Sequence, residues 1–387
     1  MSSSDYSEWF RSSISSIDDF IDVRWRTLKQ KMGWDGVPRI QPYIGFANDD
    51  LAWFHGRVLT NPPKDLPSVD DTWWDNLLQT YHRFESDEVA GVDVEIDFAG
   101  KRHRVTTDHE GYFHLETANT PDVRGRQPWQ SIAIRIVGSP KISPDESAVF
   151  SKMLTPPKSA KFGIISDMDD TVLHTGITGL TTAARLTFFH NARTRKPLPG
   201  VGALYHALQS GTDQSTPQQN PIFYVSSSPW NLFDLLEDFL DLNDIPLGPI
   251  LLRDLGFDRN KFLKEGHEHK LEKALRIMSA FPDLSFLLFG DSGQEDARLY
   301  AEAAKQKPDQ VKAIFIRDVD PGVPNEHDEV VQHSIKISEQ HGVPMYLIAD
   351  SRAVAQIALS MEWIAAENMS DIEAATTADL NRKQPVI

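Results

Sequence analysis

Apolar and polar positions divide the chain into stretches of different period. Over residues 5–32, Phe10, Ile14, Ile17, Phe20, Ile21, Trp25 and Leu28 recur at helical spacing, which predicts an amphipathic helix. Acidic residues lie in its first half, and Arg24, Arg26, Lys29 and Lys31 lie at its end, as the helix dipole favours. Two readings follow: a helix packed on its own domain, or one lying on a membrane surface. From residue 38 to 150 the period shortens to two. Val92, Val94, Ile96 and Phe98 alternate with polar or small residues, as do Ile132, Ile134 and Ile136, while Ala99-Gly100 and Asp108–Gly111 read as turns. Short strands with frequent turns predict a small antiparallel β-sandwich. Asp70–Phe84, with Trp73, Trp74, Leu77, Leu78 and Tyr81, reads as a helix inserted between its strands. No titratable cluster stands out here, so this region is read as structural or as a binding surface.

The stretch Leu154-Thr155-Pro156-Pro157-Lys158-Ser159-Ala160 is a proline-stiffened boundary. Beyond it strands and helices alternate. Strands are predicted at 162–166, 222–226, 249–252, 284–289, 311–316 and 345–348, and helices at 182–191, 201–210, 230–242, 267–280, 295–305 and 353–365. That alternation predicts an α/β fold with a doubly wound parallel sheet. The expected organisation is an N-terminal amphipathic helix over 1–37, a β-sandwich-like domain with a helical insert over 38–153, and a catalytic domain over 161–387.

Composition narrows the chemistry. Among 387 residues, 39 basic against 56 acidic side chains leave a net charge of −17, which argues against general nucleic-acid binding. The absence of cysteine excludes disulfides, cysteine-based zinc sites, iron–sulfur clusters and thiol nucleophiles. No apolar run is long enough to span a membrane, and the first residues lack a basic and an apolar signal region. The expectation is a cytoplasmic protein with no transmembrane segment.

In open parallel sheets, sites form at the carboxyl ends of the strands. There the chain places Ser166-Asp167-Met168-Asp169-Asp170-Thr171, then Ser226-Ser227-Ser228, then Gly290-Asp291-Ser292-Gly293-Gln294-Glu295-Asp296. Lys270 lies on the helix after the short third strand. Several carboxylates around one point need a cation, and a hard ion such as Mg²⁺ with oxygen ligands is the economical answer. A carboxylate can also attack phosphorus, while a lysine and a metal screen the phosphoryl oxygens.

The ordered set Asp167-x-Asp169-x-Thr171, Ser226, Lys270 and Gly290-Asp291 with Asp296 resembles the signature of the haloacid-dehalogenase superfamily. Phe223-Tyr-Val-Ser-Ser-Ser228-Pro-Trp230, His269-Lys270 and Phe289-Gly-Asp-Ser-Gly293-Gln narrow the resemblance to the actin-patch-protein type of phosphatidate phosphatase, over about residues 154–317. The sandwich resembles that of bacterial members, and Thr107-Asp108-His109-Glu110-Gly111-Tyr112-Phe113 resembles the hairpin of transthyretin-like sandwiches.

The resemblance implies a Mg²⁺-dependent phosphatase working through an aspartyl-phosphate on a lipid phosphate such as phosphatidate. Asp167 would be nucleophile and metal ligand. Asp169 would be general acid/base, with its carbonyl on the metal. Ser226 would hydrogen-bond the phosphoryl group and Lys270 would neutralise it. Asp291 would bind the metal, and Asp296 would either bind it or orient Lys270. Thr171, His174 and Arg253 join the substrate-binding set, and Arg317 follows a strand in the same way. Peripheral membrane contact, through the basic end of the first helix, is compatible with that substrate. Two other readings stand beside this one: a phosphatase of a soluble phosphomonoester, and a binding or scaffold protein with a vestigial phosphatase domain. The intact motif set speaks against the second. Neither Val172–Asn191 nor Leu252–Gly266 is long enough to bury a core, so no large cap is expected over the site.

Overall fold

A computed structural model describes residues 37–60, 88–119, 128–168, 198–213, 217–230, 233–253, 268–293, 295–319 and 326–381. The expected N-terminal helix, the helical insert at 70–84 and the helix at 182–191 lie outside the described residues.

The first sheet comprises β1 (Arg39–Pro42), β2 (Gly45–Ala47), β3 (Leu51–Leu59), β4 (Asp93–Phe98), β5 (Lys101–Thr106), β6 (Tyr112–Ala118), β7 (Trp129–Val137) and β8 (Val149–Leu154). The alternation read from sequence holds: Val94, Ile96 and Phe98 are buried on β4, and Ile132, Ile134 and Ile136 on β7. Ile96 lies opposite Ile134 and Val94 opposite Ile136, so one face of both strands is continuous. The hairpin motif has a local cause. The Asp108 carboxylate accepts from the backbone N–H groups of Glu110 and Tyr112, and Thr107 bonds Val92 N and Val89 O. Gly111 closes the turn at φ +77°, where a Cβ would lie 2.7 Å from the Val58 carbonyl oxygen.

The expected antiparallel sandwich is corrected in one respect. The strands form a single hydrogen-bonded sheet in the order β1-β3-β2-β8-β7-β4-β5, with β6 on β3. It is mixed, because β2 and β8 pair in parallel. The sheet curls on itself, so that Phe54 of β3 meets Phe98 of β4 at 5.0 Å across the core, although β2, β8 and β7 separate those strands in the sheet.

The second sheet is parallel throughout, in the order β11-β10-β9-β12-β13-β14. Its strands are β9 (Gly163–Asp167), β10 (Ile222–Pro229), β11 (Ile250–Arg253), β12 (Phe286–Asp291), β13 (Val311–Arg317) and β14 (Met345–Ile348). Helices cover both faces, as the β/α alternation predicts. On one face Ile164, Leu287 and Phe289 pack with α1 (Val201–Ser210), α2 (Phe233–Leu242), α6 (Ser351–Ser360) and α7 (Asn368–Asn381). On the other, Ile165 and Leu288 pack with α3 (Glu268–Ala280), α4 (Asp296–Gln306) and α5 (Glu326–Gln340). Neighbouring residues on one strand thus serve opposite cores, which is why these strands read as continuous apolar runs. Among the described residues, no helix is long and apolar enough to cross a membrane.

The two sheets pack on each other. Tyr43 stacks on Trp230 at 4.3 Å, and Phe46 meets Phe223 edge-on at 5.8 Å. Phe46, Trp53 and Leu154 enter the core beneath α3 and α4.

Candidate active site

The register of three adjacent strands gathers the site. On β9 and β12, Phe289 lies opposite Ser166, so the strands end side by side at Asp167 and Asp291. On the other side of β9, Val225 of β10 lies opposite Asp167, which brings Ser226 to the same carboxyl edge. Lys270, near the start of α3, is fully buried. Its Nζ lies 2.9 Å from Asp167 Oδ1 and 2.8 Å from Asp296 Oδ1.

Asp296, the first residue of α4, is also fully buried. Its Oδ2 accepts from the backbone N–H of Asp291 at 3.1 Å, so this one carboxylate ties the lysine to the β12 loop. Gly290 makes the arrangement possible, because a Cβ there would lie 2.6 Å from Asp296 Cβ and 2.8 Å from Asp296 Oδ2. Gly290→Ala is therefore expected to push Asp296 away from Lys270 and Asp291. We expect a loss of about 1–3 kcal/mol in stability, the usual cost of overpacking, together with a fall in activity. Chemical denaturation and initial rates check both.

Negative charge crowds this end of the sheet. Ligand oxygens of Asp167, Asp291 and Asp296 lie within 4.8 Å of one another, with the ammonium of Lys270 against two of the three carboxylates. Like charges so close are held ionised by further positive charge. A cluster of carboxylate oxygens suits a hard cation, so the donor set fits a metal ion.

Further groups brace the cluster. Lys273, three residues beyond Lys270 on α3, donates to the Ser226 carbonyl at 3.0 Å. Ser226 is buried, and its Oγ accepts from Ser228 N at 2.9 Å. The phenol of Tyr205 lies 2.9 Å from Ser166 Oγ, and burial pushes its pKa up, so it stays neutral beside Asp167. Sequence reasoning passed over both Lys273 and Tyr205. The i, i+3 spacing of Lys270 and Lys273 would have flagged the first, whereas no local signal marks the second.

A cavity of about 110 Å³ adjoins the carboxylates. Asp167, Asp291 and Arg317 are its charged residues, and Tyr205, Phe239 and Phe289 form part of its aromatic wall. Arg317, opposite Asp291 on β13, therefore faces the same space as the cluster. Arg253 ends β11 at the sheet edge, with β10 between it and β9; its side chain is outside what is described. Asp169, Thr171 and His174 lie outside the described residues, as does nearly all of both segments considered for a cap.

Residues 162–318 match the family model described as the catalytic domain of phosphatidate phosphatase APP1. This part of the chain is an APP1-type phosphatase catalytic domain. Phosphatidate phosphatase APP1 of Saccharomyces cerevisiae is 34% identical over 190 residues, covering 48% of this chain and 31% of the yeast protein. An uncharacterised protein of Schizosaccharomyces pombe is 27% identical over 286 residues, covering 70% of this chain and 45% of its own length. The chain thus spans less than half the length of either relative. Among solved structures, a carbohydrate acetylesterase from Xanthomonas citri aligns at 10% identity with a TM-score of 0.32, over 88% of this chain and 74% of that one. That likeness carries no argument. The APP1-type match spans β9 to the end of β13, and so contains every member of the carboxylate–lysine cluster.

Proposed function

We propose that this chain is a Mg²⁺-dependent phosphatase of the haloacid-dehalogenase superfamily, hydrolysing a phosphatidate-type lipid phosphate through a covalent aspartyl-phosphate. The observation that carries the reading is the buried cluster itself. Asp167 lies at the end of a central strand, paired with Lys270, with Asp291 and Asp296 within ligand distance.

In this reading an oxygen of Asp167 attacks phosphorus and the bond to the leaving oxygen breaks. Asp169 gives that oxygen its proton, then takes one from the water that attacks phosphorus and frees Asp167. Lys270 and Ser226 hold the phosphoryl oxygens, with Thr171 at the same edge. Asp167 and Asp291 would hold the metal ion, with the Asp169 carbonyl as a further ligand. Bound there, the ion would offset the charge on the phosphoryl oxygens. Asp296 already has a donor on each oxygen, so its role is to position Lys270 and the Asp291 backbone.

The apolar wall beside Asp167 supports a substrate with an apolar part. With a net charge of −17, contact with an anionic membrane has to be local rather than global. A cytoplasmic location with peripheral membrane contact fits this reading.

The purified full chain is expected to release phosphate from phosphatidate in mixed micelles faster than from sugar phosphates. Chelation should abolish the activity and Mg²⁺ restore it. Preference for sugar phosphates would move the substrate to the soluble class. Absence of turnover on every phosphomonoester tried would overturn the enzymatic reading.

A further inference from the structure

A second and larger cavity, of about 260 Å³, lies between the two sheets, away from the carboxylate cluster. It is walled by β3 and β6 of the curled sheet and by β11 and α3 of the parallel one, with Trp230 at the end of β10. None of Asp167, Lys270, Asp291 or Asp296 lines it.

Its walls are mainly apolar rings and aliphatic groups, including Tyr43, Phe46, Trp53, Phe113, Trp230 and Leu252. Its ionisable side chains, the tyrosines apart, are His55, His114, Lys273 and Arg276. Among the described residues no carboxylate lines it, on a chain that carries 56 acidic residues. Both permanent cations come from α3, so positive charge collects on one side of an aromatic chamber. His55 adds a neutral ring to the wall. Its Nε2 is buried and has no hydrogen-bond partner among the described residues, and its ring stands 4.8 Å from Trp230, edge to face. Burial pushes the His55 imidazole down to about 3, so the ring is neutral and able to donate or accept.

We propose that this cavity binds a single-tailed organic anion, an alkyl chain ending in one carboxylate. The chain would lie against the aromatic wall, and the head group would lie towards Lys273 and Arg276. Size favours one tail over two, since ligand cavities commonly run from about 300 to 1,000 Å³ and this one falls just below that range. The inference does not depend on the catalytic reading above: of the residues it uses, only Lys273 also braces the cluster, and neither position substituted below belongs to it.

The test is isothermal titration of the full chain with dodecanoate and, separately, with dodecyltrimethylammonium, both below their micellar concentrations. Saturable one-to-one binding of dodecanoate is expected, with the cation of the same tail at least about tenfold weaker, a difference of about 1.4 kcal/mol. His114→Trp fills the mouth and Arg276→Glu reverses the charge. Both positions are exposed, so unchanged thermal melting should accompany a loss of about tenfold or more in dodecanoate affinity. Absent dodecanoate binding, equal binding of the two amphiphiles, or affinity that survives both substitutions overturns the proposal.

Discussion

Asp167→Asn is expected to lower phosphate release by about 10⁴-fold or more while leaving the fold intact. The amide keeps the shape of the side chain but removes the attacking charge. Stability should change little, because Lys270 keeps its 2.8 Å bond to Asp296 and the buried ammonium retains a partner. The expected result is thus a folded, inactive protein, checked by initial rates beside a thermal melt. Near-normal turnover would remove Asp167 from the role of nucleophile. A large drop in melting temperature would show that Asp167 serves mainly as the counter-charge of Lys270.

Lys270→Met is expected to damage both activity and stability. Methionine fills much of the same volume but leaves Asp167 and Asp296 without the ammonium that each now contacts within 2.9 Å. Removing one partner of a buried ion pair costs about 3–5 kcal/mol, since the remaining charge is stranded. A second change, Asp296→Leu on top of Lys270→Met, removes one stranded carboxylate and should recover part of the lost stability. It should recover no activity, because the group that neutralises the phosphoryl oxygens is still missing. Denaturant unfolding of the single and double variants, with rates measured on each, separates the two effects. A single variant as stable as the parent would show that the pair contributes little net stabilisation.

Periodicity made most of the parallel sheet legible. The predicted helix at 201–210 and strand at 345–348 coincide with the observed elements, and the other predicted elements among the described residues shift by up to five residues at an end. Two helices were not anticipated, α5 and α7. In α5 the buried positions include Val331, Ser334 and Ser338, so small polar residues occupy a face that a hydrophobic period would have revealed. In α7 the buried pair is Ile372 and Thr376, again with a single strongly apolar member. Helix α2 is described from Phe233, and Trp230 ahead of it contacts Tyr43 and His55.

Sequence alone determined that this chain carries strand-end carboxylates at Asp167 and Asp291, a serine on β10 and a lysine on the helix after β11, because strand period and motif order are local properties. It left the role of Asp296 open between holding a metal and orienting Lys270. Only the tertiary structure decided that this carboxylate bonds both the lysine and the Asp291 backbone, and that Gly290 exists to admit it. The same holds for the brace from Lys273 to Ser226, for the parallel pairing of β2 with β8 that makes one curled sheet, and for the aromatic chamber between the sheets. Each depends on groups far apart in the chain. Periodicity specifies which face of an element is apolar, but the partner that covers that face is chosen by packing and by the need to satisfy buried polar groups.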